Sequence, residues 1–204
     1  MKTLRIIRIV AFLAIGAVFA LMASMLLFQN PNTARQNTSG QSLAVPDYGG
    51  SFSLNATSGG VVERATLLGK PYGLFFGYTN CPDFCPTAMQ DITLLLAKFG
   101  NEAKDFRVYF VSIDPARDTL DLLKLYVSSF DPRIIGLTGS EAEIAGVIKS
   151  FNAYAKKNGS GDSYTFDHTS SVLLFDAKGK LAGTINSSEP EADQKIKLER
   201  LLKG

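Results

Sequence analysis

The most uniform stretch of the chain lies near its start. Positions 9–28 are apolar throughout except for the small polar Ser24. At 1.5 Å per residue a helix of that length covers about 30 Å, the thickness of a bilayer's hydrocarbon core. No polar face interrupts the run, which argues against an amphipathic helix of a soluble core. From residue 50 onward the pattern changes to short alternating or periodic segments. Residues 52–54 and 61–62 flank the turn-rich 55–60 and predict a hairpin. Residues 72–78 (YGLFFGY) are almost continuously apolar, as in a strand buried on both faces. Met89, Ile92, Leu95, Leu96 and Phe99 recur at helical spacing and predict a helix over 87–99. A strand at 106–113 comes next, then a helix at 119–130 with Asp118 as its N-cap. Residues 134–137 read as a strand and 141–154 as a further helix. The pair 171–175 and 181–185 predicts a hairpin around 176–180, where Gly179 supplies a positive φ. An amphipathic helix at 191–202 closes the chain. Strands and helices in this order predict an α/β domain with a central mixed sheet flanked by helices.

Charge gives the first segment an orientation. Lys2, Arg5 and Arg8 precede the apolar run, and the first acidic residue is Asp47. The positive-inside tendency keeps such an N-terminus in the cytoplasm and sends the remainder across. A cleaved signal peptide is the alternative, with Ala20 or Ala23 as the small residue at the cut. Its apolar region is usually about 7–15 residues, shorter than this one. Only eight residues precede the run, too few for an Arg/Ser-rich mitochondrial address. The pattern therefore predicts a single-pass protein of a bacterial inner membrane, with its soluble part in the periplasm. Residues 29–49 are polar and rich in Asn, Ser and Pro, the composition of a flexible tether. The predicted organisation is an anchor at 1–28, a linker at 29–49 and a domain at 50–204. The net charge of +2 is owed to Lys2, Arg5, Arg8 and Arg35. Without them the domain is slightly acidic and offers no basic patch for nucleic acid. A domain of about 150 residues buries about 68–70% of its unfolded surface, enough for a core without covalent staples.

Both cysteines and the lone histidine carry the candidate chemistry. At the end of the predicted strand 72–78 the sequence runs Thr79-Asn80-Cys81-Pro82-Asp83-Phe84-Cys85-Pro86-Thr87. Pro86 suits a first helical position, which would put Cys85 at the N-cap and Cys81 in the loop before it. A helix N-terminus stabilises thiolates, the form that ligates metal or attacks a disulfide. Ligands in open α/β sheets also gather beyond the carboxyl ends of the strands. His168 lies just ahead of the strand 171–175. If that strand runs antiparallel to 72–78, its start lies beside the cysteine loop. Two thiolates and an imidazole suit Cu(I) in a trigonal site. The competing readings are a structural disulfide, a solvated histidine, and for Asp114 a plain turn residue. A disulfide closing so few residues stabilises little and reads better as redox-active or metal-displaceable.

The chain resembles the SCO/SenC family of copper-binding proteins, which serve cytochrome c oxidase assembly. The resemblance rests on FFGYTNCPDFCP at 75–86, VSIDPARDT at 111–119, DPRIIGLTG at 131–139 and Asp167-His168-Thr169, and spans about 50–186. It implies a thioredoxin-like fold, copper bound one per chain by Cys81, Cys85 and His168, and Asp114 as an acid near the site. It also implies an oxidase subunit with a dinuclear copper centre as partner, and an upstream copper donor. A thiol–disulfide oxidoreductase acting on that subunit's cysteines, or a redox or copper sensor, is the alternative. Against the oxidoreductase, the spacing is C-x-x-x-C and not C-x-x-C, and Ser170 stands where thioredoxins carry a cis-proline. A peroxidase is disfavoured because Thr79-Asn80-Cys81 misses the Thr-x-x-Cys spacing.

Overall fold

The computed structural model describes Gly16, Leu21, Met22, Ser24 and residues 48–204. The predicted anchor and linker fall largely outside the described residues, among which no helix is long and apolar enough to cross a membrane. The chain divides into two compact units, Met1–Ala44 and Val45–Gly204, and the second carries the strands and helices of the domain.

Within that second unit the described residues form nine strands and four α-helices. In chain order they are β1 (Ser53–Ala56), β2 (Val61–Glu63), β3 (Tyr72–Gly77), α1 (Phe84–Phe99), β4 (Arg107–Ser112), α2 (Leu120–Val127), β5 (Ile134–Thr138), α3 (Glu141–Ser150), β6 (Ala155–Asn158), β7 (Thr165–His168), β8 (Val172–Phe175), β9 (Leu181–Ile185) and α4 (Glu191–Lys203). Seven strands form one mixed sheet in the order β2-β1-β5-β4-β3-β8-β9, and β6 and β7 form a separate two-stranded sheet. The central β3, β4 and β5 are parallel, and β8 runs antiparallel to β3 with Leu74 opposite Leu173. All six residues of β3 are buried, which explains its unbroken apolar sequence. This thioredoxin-like arrangement of a mixed sheet flanked by helices agrees with the predicted class.

Several boundaries differ from the sequence reading. Helix α1 starts at Phe84, so Cys85 lies inside the first turn and not at the N-cap. The Asp83 carbonyl already accepts from the Thr87 N–H (3.3 Å) and Thr87 Oγ1 (2.9 Å). Pro86 is tolerated there because none of the first four helical N–H groups has an intrahelical partner. Helix α2 is capped by Thr119, whose Oγ1 accepts from Leu122 N–H at 3.3 Å. Asp118 is buried instead and serves other donors. Helix α3 stops at Ser150, and Asn152 turns the chain at a φ of 48°. The chain then enters the β6–β7 hairpin, which the sequence reading lacks, and His168 is the last residue of β7. Only Thr169, Ser170 and Ser171 stand between it and β8.

Candidate metal centre

The site forms where the chain leaves β3. Gly77 ends that strand, and a Cβ there would lie 2.9 Å from Cys85 Sγ, 2.8 Å from the Phe75 ring and 2.9 Å from the Phe110 ring. Only glycine leaves room for the sulfur to pack on the strand end. The next residues turn, with Cys81 N–H donating to the Tyr78 carbonyl at 3.2 Å. Helix α1 then begins, and its exposed N–H ends point back at the loop. Cys85 N–H donates to Cys81 Sγ at 3.4 Å. Cys81 is 8% exposed and Cys85 fully buried, and both are free thiols.

His168 reaches this loop from the second sheet. Its Nε2 lies 3.8 Å from Cys81 Sγ and 3.5 Å from Cys85 Sγ, and the three donor atoms all fall within 4.8 Å of one another. The Nδ1 faces the Thr169 carbonyl at 2.9 Å. A carbonyl only accepts, so Nδ1 carries the hydrogen and Nε2 is the nitrogen aimed at the sulfurs. Edge contacts from Phe75 and Tyr78 hold the ring, with centroids 6.1 and 5.8 Å away.

A soft ion with bonds of about 2.3 Å to sulfur and about 2.0 Å to nitrogen, at tetrahedral to trigonal angles, sets S···N separations of about 3.5–3.7 Å. The separations in the protein straddle that range without rearrangement. Two sulfurs and one imidazole, with no carboxylate among them, select Cu(I) or Zn(II) over hard cations. Beyond the donors, Tyr78, Pro82, Phe84 and Phe166 line a cleft of about 510 Å³ that opens beside Cys81 and His168.

The electrostatics divide the two thiols. The hydrogen bond from Cys85, then that of His168 and the backbone N–H groups of Cys85 and Asp83, holds Cys81 down to about 4 against the burial that opposes it. The same hydrogen bond, with burial next, pushes the Cys85 thiol far up. Burial works against the charged form of His168, but its contacts with Cys81 and the Thr169 carbonyl outweigh it and raise its pKa. The metal-free site therefore favours the thiolate at Cys81 and the thiol at Cys85.

Of the residues singled out from sequence, the fold brings Cys81, Cys85 and His168 together. Asp114 does not join them. It accepts from Tyr164 Oη at 2.6 Å and from Arg117 Nε. Sequence reasoning missed Thr79, Arg117 and Tyr164, and it gave Asp118 a different task. Asp118 takes the Thr79 N–H at 3.0 Å, Thr79 Oγ1 at 2.6 Å and Ser112 Oγ at 2.6 Å.

The SCO1/SenC family model matches residues 40–203. The chain belongs to the SCO1/SenC family. It is 35% identical to a SCO2-like protein of Rickettsia felis, over 88% of this chain and 87% of that one. Among solved structures it is similar to Bradyrhizobium japonicum ScoI with copper bound, at 42% identity and a TM-score of 0.70, covering 76% of this chain and 99% of that one. It is also similar to BsSco, described as carrying a disulfide switch and as a member of the Sco family of cytochrome c oxidase assembly proteins. That match has 27% identity and a TM-score of 0.62, over 76% of this chain and 94% of that one. Membership of the Sco family thus places the Cys-Cys-His cluster in a family of oxidase assembly proteins with copper-bound members.

Proposed function

We propose that this SCO1/SenC protein is a membrane-anchored copper chaperone that delivers one copper ion per chain to the dinuclear copper site of a cytochrome c oxidase subunit. The observation that carries the reading is the donor triangle of Cys81, Cys85 and His168, already spaced for a soft three-coordinate ion. Asp114 acts at one remove, through the Tyr164 hydroxyl and the Arg117 guanidinium that it holds. A three-coordinate site beside an open cleft leaves one face of the ion free for an incoming ligand from the recipient. Transfer then proceeds by stepwise ligand exchange and never exposes a bare ion. Residues 1–28 anchor the chain in a bacterial inner membrane, residues 29–49 tether it, and the domain from residue 50 works in the periplasm, receiving copper from an upstream donor.

Thiol–disulfide exchange is the second reading, favoured by the unequal thiols. An ionised Cys81 beside a protonated Cys85 is the arrangement that exchange requires. His168 separates the two. Exchange needs only sulfurs, whereas a copper carrier without His168 loses one of three donors. His168→Ala should therefore keep a reversible Cys81–Cys85 disulfide, bind copper far more weakly than the unmodified domain, and fail to support oxidase copper loading in cells. Normal oxidase assembly in a variant with abolished copper binding would leave reductase or sensor as the better account. For the anchor, a periplasmic reporter fused after Gly204 should be active in the membrane fraction, and a soluble form starting near Ser24 would point to a cleaved signal.

A further inference from the structure

The donors of the site stand on two separate sheets: both sulfurs on the loop and helix after β3, and the nitrogen at the end of β7, whose strand pairs with β6 and not with the main sheet. The S···N distances are therefore set by whatever fixes one sheet against the other. Tyr78 joins them directly, its Oη accepting from Phe166 N–H at 3.1 Å, and a short segment, 114–118, touches both from a second side. Asp118 is 1% exposed and accepts from Thr79 N–H and Oγ1, two residues before Cys81. Asp114 is 2% exposed and accepts from the hydroxyl of Tyr164, the residue just before β7. Arg117 Nη1 also donates to the Tyr164 carbonyl at 3.1 Å and lays its guanidinium 3.6 Å from that ring's centroid, while Lys157 of β6 lies 3.4 Å from it. The segment is itself one closed turn, because the Asp118 and Arg117 N–H groups both donate to the Asp114 carbonyl at 2.9 and 3.1 Å. Ser112 Oγ ties the two ends of the segment, donating to the Asp118 carboxylate at 2.6 Å and accepting from the Asp114 backbone N–H at 3.1 Å.

We propose that segment 114–118 is a two-sided brace whose Asp118–Thr79 arm positions the cysteine loop and whose Asp114/Arg117–Tyr164 arm positions the histidine hairpin. Thr79, Asp118, Arg117 and Tyr164 are thus positioning residues for the metal centre. The donor atoms of the centre belong to Cys81, Cys85 and His168. The effect of the positioning residues is on distance, and metal sites tolerate only about 0.2 Å of departure from their preferred bond lengths. The two arms act on different donors, so cutting each leaves a different signature. This inference rests on the copper reading for its affinity arm alone.

The test uses two near-isosteric variants of the full chain. Tyr164→Phe removes the hydroxyl on Asp114 and keeps the ring under Arg117. Thr79→Val removes the Oγ1 donor and keeps the backbone one. In metal-free protein, Tyr164→Phe should shift the His168 imidazole resonances proportionally more than it changes the alkylation rate of Cys81. Thr79→Val should do the reverse. Each should weaken Cu(I), measured by competition with a chromophoric chelator, by about tenfold, the lower end for groups that orient metal ligands. Asp118→Asn, which still accepts from Thr79, should retain more affinity than Asp118→Ala. The brace is overturned if Tyr164→Phe leaves the imidazole resonances as they were, or if both variants move both signals in step with a common loss of melting temperature. A wild-type protein that fails to bind copper would overturn the proposed function, and the two metal-free signals would still decide the brace.

Discussion

Gly77→Ala should damage the metal centre far more than it damages the fold, and Gly73→Ala, four residues earlier on the same strand, should do neither to the same degree. The methyl at 77 would meet Phe75, Cys85 Sγ and Phe110 at 2.8–2.9 Å, where ordinary contacts begin near 3.4 Å. Three neighbours must each give by about half an ångström, an overpacking that costs about 1–3 kcal/mol in a filled core. For a unit of this size that is a fall in melting temperature of about 2–4 °C per kcal/mol. Phe75, Phe110 and Cys85 are all fully buried, so none of the three can yield into solvent and the sulfur must share the displacement. A sulfur moved by half an ångström exceeds the tolerance of about 0.2 Å for metal bonds. Copper affinity should then drop at least about tenfold. At Gly73 the methyl meets Val108 and Val172 side chains at 3.2 Å and Phe106 at 3.6 Å, well away from the sulfurs. That variant should lose less stability and no affinity. Thermal melting and chelator competition on both proteins check the reasoning. Equal copper affinities for Gly77→Ala and the unmodified domain would refute it, as would equal losses in the two variants.

Copper loading should release protons. With Cys85 protonated before binding, at least one proton leaves per ion, so affinity should rise at least about tenfold per pH unit near neutrality, measured by competition across pH. In metal-free protein, Cys81 should alkylate readily at mildly acidic pH, where a free thiol of pKa about 8.5 is inert, and Cys85 should not. Asp131 lies below the usual carboxylate range because Arg133 donates to it through Nε and Nη2 at 2.7 and 2.6 Å. A depressed pKa contributes stability above the unfolded value of about 3.9 and loses it as pH falls through the folded one. The melting temperatures of Asp131→Asn and the unmodified domain should therefore differ at neutral pH and converge in acid. Ser140→Ala should lower stability by about 1 kcal/mol in denaturant melts, because Ser140 and Glu143 cap α3 reciprocally.

The parts of this protein that were legible in sequence are those where one physical demand dominates. Residues 72–77 must be apolar to pass through the middle of the sheet, and they read as a strand at once. The cysteines stand where a strand hands over to a helix, and the fold puts them there. The hairpin that carries His168 was hidden because its strands, AKKN and TFDH, are four residues each and only half buried. Alternation is present in Phe166 and His168, but a stretch so short is no longer than chance allows. Asp118 misled for another reason. A carboxylate ahead of a helix serves equally well as a cap or as a buried acceptor, and Thr119 next to it took the cap. The helix start was hard to place by the same degeneracy, since proline is harmless at any of the first helical positions. Tyr164 left no signal, because its role depends on a hydroxyl meeting Asp114 from fifty residues away.

The unequal exposure of the two sulfurs imposes an order in time on whatever the site exchanges. Cys81, at 8% exposure, borders the cleft, while Cys85 has no surface at all. An incoming disulfide, or a metal-seeking ligand from another protein, meets Cys81 first, and Cys85 can respond only from within, after Cys81 has displaced one sulfur of that disulfide or the ligand has reached the ion. In disulfide chemistry this makes Cys81 the sulfur that joins a partner and Cys85 the one that severs the join. In metal transfer it makes Cys81 the first donor to loosen and Cys85 the last to let go. The same burial works as a ratchet: a visitor that engages only Cys81 can leave without consequence, and only one that stays long enough for Cys85 to act completes the exchange.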